Sequence, residues 1–309
     1  MKAQPNHTSR SFLTGAVAAA LLTAATAFAG ASAPAGKAPK GPVAPPEPSN
    51  WLDTTIPPVT NPVFFEDAVI RSEIRPIFIH HKIDSGFVTG GGDVNLWAVQ
   101  ARVALTDRLA LIATKDGYID FNPKVGADQD GWADVALGFK YALVDDRANE
   151  FIVTPGFTFE IPLGNKDVFQ GNGDGEWNVF VSAEKGFGNF HLLGNVGVRI
   201  PNDTGEESTS LHYSLQADYR VCKWFIPFVA ANGFTVLSEG NALPINSEGY
   251  DLINFGASGA DGWTGFTVGG GFRSQLTDNI FFGAAYEKAV AGPEGLYDDR
   301  WTFDFVFTF

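Results

Sequence analysis

One cysteine, Cys222, in 309 residues leaves no partner for an intramolecular disulfide and no cysteine set for a zinc site. Charge is scarce too: Asp, Glu, Lys and Arg make up 18% of the chain, against about a quarter in soluble domains. Basic residues are the rarer sign. The formal net charge is −14, and −16 once Lys2 and Arg10 leave with an N-terminal segment. That excludes nucleic acid as a partner, because its phosphates need a basic surface. After residue 29 no stretch supplies the ~18 apolar residues of a membrane-spanning helix. Glycine (35 residues) and aromatics (13%) are plentiful instead.

The aromatics are most ordered at the end of the chain. Trp301, Phe303, Phe305, Phe307 and Phe309 alternate with Thr302, Asp304, Val306 and Thr308. A strand has period two, so one face carries five rings and the other is mostly polar. In a soluble protein the ring face would lie on a core. In an outer-membrane barrel it would meet lipid, with the polar face toward the lumen. An aromatic strand ending in Phe resembles the closing strand of bacterial outer-membrane proteins. There the last residues are an assembly signal read by the barrel-assembly machinery.

Residues 1–29 read as a secretory signal peptide. Lys2 and Arg10 give the basic start, Phe12 to Leu22 the apolar core, and Ala27-Phe28-Ala29 a small-x-small cleavage site. Ala31-Ser32-Ala33 is a second candidate, weakened by Pro34. Residues 30–69 are rich in Pro and Ala, with Pro45-Pro46, Pro57-Pro58 and Asn61-Pro62. Proline removes donors and favours extended chain, so this stretch is expected as a periplasmic linker. The barrel is expected over 70–309.

Twelve strands are expected, at 71–83, 93–105, 109–117, 132–143, 150–161, 176–185, 190–200, 210–221, 225–236, 263–276, 280–290 and 300–309. Ten residues at about 3.3 Å, tilted by about 40°, span about 25 Å, the height of an outer-membrane apolar band. The connections alternate. Short turns fall at 106–108, 145–149, 186–189, 222–224 and 277–279; Gly/Asp-rich loops fall at 84–92, 118–131, 162–175, 201–209, 237–262 and 291–299. Outer-membrane barrels alternate in this way, with short periplasmic turns and long extracellular loops. The fold class is therefore all-β: a single transmembrane antiparallel up-and-down barrel of about 12 strands, in an outer membrane reached by export.

Parity within strands gives the lumen list. A charge facing lipid at mid-membrane costs ~2–4 kcal/mol, so charged positions take the inner face. The channel wall is expected to carry Arg75, Arg102, Asp134, Lys140, Glu160, Glu184, Arg199, His212, Asp218, Arg220, Arg273, Glu287 and Asp304. Pro155 has outward parity and implies a bulge or a register fault. Trp132, Trp177, Trp263 and Trp301 follow long loops, as an interfacial girdle would place them. Trp132 and Trp263 nonetheless have inward parity, so either their strands start with a bulge or the two rings face inward.

Leu105-Thr106-Asp107-Arg108-Leu109 and Leu276-Thr277-Asp278-Asn279-Ile280 repeat one turn. With the strand segments that follow each, and with Gly131-Trp132-Ala133-Asp134-Val135-Ala136-Leu137-Gly138-Phe139-Lys140-Tyr141, they resemble outer-membrane transporters associated with the meta-cleavage pathway of phenol degradation. The resemblance covers about residues 95–309 and implies passage of small aromatic or apolar compounds.

The expected function is a porin-like channel for passive transport of small solutes. A closed structural or adhesion barrel working through its acidic loops is the alternative, and a lipid-modifying enzyme a further one. His191 and His212 lie near Ser210 and Ser214, but no hydrolase signature surrounds them. Asp128-Gln129-Asp130-Gly131 and Asn172-Gly173-Asp174-Gly175-Glu176 echo calcium-loop spacing without completing it. No catalytic residue, metal ligand or cofactor is assigned. Expected partners are outer-membrane lipid and lipopolysaccharide, the assembly machinery and a small-molecule solute. The longest loop, 237–262, carries Leu252-Ile253-Asn254-Phe255, which could fold inward as a constriction or plug.

Overall fold

The computed structural model describes residues 51–292 and 295–309. The expected signal peptide and residues 30–50 of the expected linker lie outside them. Strand segments are β1 (Glu73–Ile83), β2 (Gly92–Ala104), β3 (Leu109–Lys115), β4 (Tyr118–Pro123), β5 (Gln129–Trp132), β6 (Val135–Tyr141), β7 (Val144–Asp146) and β8 (Phe151–Ile161). They continue as β9 (Glu176–Phe187), β10 (Phe190–Pro201), β11 (Thr209–Tyr219), β12 (Ile226–Ser238), β13 (Thr264–Gln275), β14 (Ile280–Ala291) and β15 (Asp299–Thr308). β4 prolongs β3, β6 resumes β5, and β7 is a three-residue piece on β8, so the wall has twelve staves. Neighbours pair antiparallel all round, and β1 pairs both β2 and β15. The barrel is closed, which removes the unpaired edges that an open sheet would expose.

Alternation decides which way each side chain points. In β15 Thr302, Asp304 and Val306 are buried, while Trp301, Phe303, Phe305 and Phe307 are exposed on the outer surface. Leu137, Phe139, Phe157, Val179, Leu215 and Val229 continue that apolar exterior around the wall. The repeated five-residue turns take one geometry: Leu105 and Leu276 each donate to the carbonyl four residues on, at 2.8 Å in both. Thr106 and Thr277 each accept the N–H two residues on through the side-chain hydroxyl.

One local expectation changes, and two left open are decided. The stretch 118–131 is not a loop: β4 and β5 extend the wall as a hairpin, with Tyr118 opposite Trp132 and Phe121 opposite Gln129. Its alternation of Tyr118, Ile119, Asp120, Phe121 and Asn122 is strand-like, but the Asp residues and flanking glycines masked it. Trp132 is 66% exposed and Trp263 5%. Ala133-Asp134 breaks the strand below Trp132 and turns that ring outward, whereas Trp263 follows its parity inward. Pro155 needs no register change. The β6–β8 ladder ends at Lys140↔Gly156 and β7–β8 resumes at Val144↔Val153, so the missing N–H falls where the neighbouring strand bulges.

The largest change concerns residues 51–69, expected as the end of a spacer. They are instead inside the barrel, and nearly every side chain from Trp51 to Val69 is buried. The segment enters beside the short turns, where Trp51 lies against Gly186. It turns over at Asn61 (φ 46°), where the Phe65 N–H bonds to the Asn61 carbonyl. It then returns to Ser72, whose carbonyl accepts from the Phe309 N–H. Proline suits this course. Pro57, Pro58 and Pro62 have no N–H to leave unsatisfied, and their carbonyls accept from Arg273, Arg75 and Gln100.

Candidate functional site

The candidate site is the lumen, and it is occupied by the chain itself. From the short-turn end comes the hairpin 51–72. Glu66 bonds the Arg102 guanidinium at 2.6 and 3.1 Å and the Lys140 ammonium at 2.7 Å. Asp67 takes Lys140 at 2.7 Å and also pairs with Arg71. Burial alone would raise both carboxyls; the facing Arg102 and Lys140 hold Glu66 below its ordinary value, and Arg71 and Lys140 do so for Asp67. Lower down, Asp304 bridges Arg75 (2.6 Å) and Arg273 (2.8 Å), and both arginines also donate to the proline carbonyls of the hairpin. Asn61 donates to Ser214 and, through its backbone, to Glu287.

From the long-loop end the segment between β12 and β13 folds in. Tyr250, Leu252, Ile253 and Phe255 are buried, as the apolar run Leu252-Ile253-Asn254-Phe255 suggested. Asp251 binds Arg300 at 2.9 Å, Asn254 donates to Glu176 at 2.8 Å, and the Tyr250 carbonyl accepts from Arg199 at 3.0 Å. Glu248 organises the loop, accepting from the backbone N–H of Phe255 and Ala257 and from Ser208. The two insertions are linked at Phe64 through rings of the wall. Its ring stacks on His212 at 4.8 Å and lies 6.1 Å from Phe234, which meets Tyr250 edge-on at 5.5 Å.

Eleven of the thirteen expected wall residues are buried in this interior: Arg75, Arg102, Asp134, Lys140, Glu184, Arg199, His212, Asp218, Arg273, Glu287 and Asp304. Glu160 is half-buried against Lys115 at 2.5 Å. Arg220 lies at the short-turn mouth, bonded to Gln275 at 2.7 Å. Asp134 is a loop anchor, accepting from the N–H of Gly164 and Gly171. Glu184 alone among the thirteen is a carboxylate with no hydrogen-bond partner on either oxygen.

Parity reasoning missed several members. Glu66, Asp67 and Arg71 sat in or beside the presumed spacer. Arg300 was readable, since it stands next to outward Trp301. Lys115 was not, because a register shift between Ala113 and Lys115 swings it inward.

The Ser and His side chains of the interior are engaged with their neighbours. Ser214 is engaged by Asn61. His191 contacts Asp218 at 2.7 Å and Thr54 at 2.9 Å, and the same Thr54 hydroxyl lies 2.5 Å from the Trp51 carbonyl. These contacts tie the hairpin to the wall. Among the described residues no cluster of His, Cys, Asp and Glu is arranged to hold a metal.

No protein-family model matches the chain, and no curated protein matches it. Solved structures do. An outer-membrane channel from Pseudomonas putida F1 superposes with TM-score 0.55 at 16% identity, covering 78% of this chain and 96% of that one. The NanC porin superposes with TM-score 0.50 at 9% identity, covering 77% of this chain and all of that one. At such identities the likeness is one of fold. The chain folds as a twelve-stranded antiparallel barrel of the outer-membrane type.

Proposed function

We propose that this protein is an outer-membrane channel of the porin kind, passing small solutes passively, and that the described arrangement is its closed state. In that membrane the short turns face the periplasm and the long loops the exterior. The observation that carries the reading is what fills the lumen. Two separate chain segments fill it, each tied to the wall by hydrogen bonds and ion pairs, rather than a core of strand side chains. A barrel needed only for structure reaches closure more simply with apolar side chains, which cost no desolvated charge. When either segment leaves, Arg75, Arg102, Lys140, Arg199, Arg273 and their carboxylate partners become a hydrated wall of both signs. The fold shared with a channel and a porin supports the same reading. Kinship with the meta-pathway transporters, and with it small aromatic solutes, belongs to this proposal. So do export by a cleaved signal peptide and an assembly role for Trp301, Phe303, Phe305, Phe307 and Phe309.

Single-channel current across a planar bilayer tests it. The full chain is expected to give rare, brief openings, and a variant lacking residues 51–69 more frequent ones. A folded, heat-modifiable barrel that stays silent in both forms and also after removal of residues 244–258 would overturn the channel. That result would favour the closed barrel working through its acidic loops.

A further inference from the structure

The wall is interrupted at one place. β2 pairs β3 from Ala104↔Ala110 to Ala101↔Ala113 and pairs β4 from Trp97↔Tyr118 onward. Ala98, Val99 and Gln100 therefore face 114–117 with no ladder between them. On the other flank β3–β6 pairing ends at Lys115↔Ala136, and β4–β5 pairing begins at Tyr118↔Trp132. Gly117 makes the break, with φ +123°. A Cβ there would come within 2.5 Å of the Trp97 carbonyl oxygen.

A wall facing lipid cannot leave backbone groups unpaired, since water is not there to take them. Here side chains take them. The Asp116 carboxylate accepts the Val99 N–H at 2.8 Å. Gln100 donates to the Thr114 carbonyl at 2.6 Å. One backbone bond, Ala133 N–H to the Gly117 carbonyl at 2.8 Å, crosses the gap on the other flank.

A hollow of about 550 Å³ opens on the outer face of this break, bounded by Pro76, Trp97, Val99, Trp132, Val135 and Leu163. Directly behind it lies an inner void of about 20 Å³, lined by Pro62 and Val63 of the hairpin apex, by Leu96 and Ile119, and by Leu252 of the inserted loop. Ile77, Ala98, Asp116 and Ala133 line both. Ala98 and Ala133 are the smallest of the four side chains common to both.

We propose that this break is a lateral opening, a site where a small apolar aromatic molecule binds and passes between lumen and bilayer. The passage rests on the channel reading above. The hollow has the volume of a small-molecule site. Its lining is apolar apart from Asp116, whose carboxylate is already engaged. Trp97 and Trp132 offer flat faces at its mouth for an aromatic ring. The inner void is closed by the same two segments that close the lumen, so their withdrawal opens both routes together. A lipid acyl chain would need only a trough along the outside; it has no use for an inner void that shares its lining.

The test is photolabelling of the full chain in lipid nanodiscs with 3-trifluoromethyl-3-phenyldiazirine, a small apolar aromatic carbene source, with toluene as competitor. Labelled residues are mapped by peptide mass spectrometry. Toluene-competed label is expected on Trp97 and Trp132 outside and on Leu96 and Ile119 inside. Ala98→Leu and Ala133→Leu are expected to lose the inner label and keep heat-modifiability. Label confined to the outer face, or not competed by toluene, overturns the opening and leaves a lipid-filled groove. The wild-type map decides even if both variants misfold. Conductance of the same preparation is a separate readout. A silent barrel with competed inner label keeps the opening and loses the channel, and a conducting barrel without that label does the reverse.

Discussion

The hairpin 51–72 and the inserted loop between β12 and β13 close one lumen from opposite ends, but by different physics. The hairpin is held by buried charge pairs, Glu66 with Arg102 and Lys140 and Asp67 with Lys140, and by Asp67 with the half-buried Arg71. The loop is held mainly by aromatic packing of Tyr250 on Phe234, Trp263 and Tyr297, with Asp251–Arg300 as its one buried ion pair to the wall. Buried pairs gain little net stability, yet breaking one partner leaves an uncompensated charge. Apolar contacts come apart without that penalty. On the channel reading proposed above, the hairpin would be the all-or-none gate and the loop the gradual one.

The largest effect that would break this comparison is conductance after deletion. Because the closures stand in series, removing 51–69 or 244–258 alone is expected to raise open probability. Removing both is expected to give a steadily open pore. If the hairpin deletion alone gives the full steady conductance, the loop is no gate and only one closure exists.

Next in size is a pair of single substitutions. Glu66→Ala strands Arg102 and Lys140 inside the barrel and is expected to cost about 3–5 kcal/mol of hairpin docking. Asp251→Ala should cost less, since Glu287 stays within 3.3 Å of Arg300. Protease access to the segment from each end reads the two separately. Equal effects would erase the distinction between the gates.

pH separates the ends further. Glu66 and Asp67 have folded values held below their ordinary ones. Their stabilisation is present above the unfolded carboxylate range and is lost as pH falls through the folded values. Glu207, nearly buried in the 202–208 loop beside the inserted segment, is pushed up to about 8 by burial first and by the Glu176 carboxylate next. The folded state then holds a proton that the unfolded state has released, so stability at that end falls as pH rises from about 4.5 to about 8. Local opening measured by hydrogen exchange is therefore expected to grow with acid in the hairpin and, around Glu207, as pH rises from about 4.5 to about 8. Glu207→Gln should flatten the second profile and leave the first unchanged.

Much of the barrel was legible in the sequence because alternation runs through every stave: apolar groups outside, polar groups inside. The short turns were legible because Leu105–Leu109 and Leu276–Ile280 repeat one chemistry. What period-two reading cannot see is irregular chain that borrows its partners. Residues 51–69 have no periodicity, and their donors and acceptors are matched by Arg75, Gln100, Arg102, Lys140 and Arg273 on strands distant in sequence. A signal was present nonetheless. Glu66 and Asp67 lie among apolar Phe64, Phe65, Ala68 and Val69, an odd composition for a solvated spacer. Lys115 was missed and Trp132 left open for a related reason: each lies at a strand break, and one extra residue reverses a face.

The smallest effect tests whether burial, rather than charge, sets the hierarchy. Lys288 and Asp298 form a 2.6 Å pair beside the β14–β15 connection, with Lys288 48% exposed. Arg300, two residues from Asp298, makes its 2.9 Å pair with Asp251 in the interior. The distances are alike and the surroundings are not. Water already solvates the Lys288 ammonium, so Lys288→Ala is expected to cost less than about 1 kcal/mol and to leave conductance and both pH profiles unchanged. If unfolding measured by heat-modifiability shows Lys288→Ala and Asp251→Ala to be equal, ion-pair geometry alone would govern the closures. Desolvation would then no longer account for the firmer grip on the hairpin.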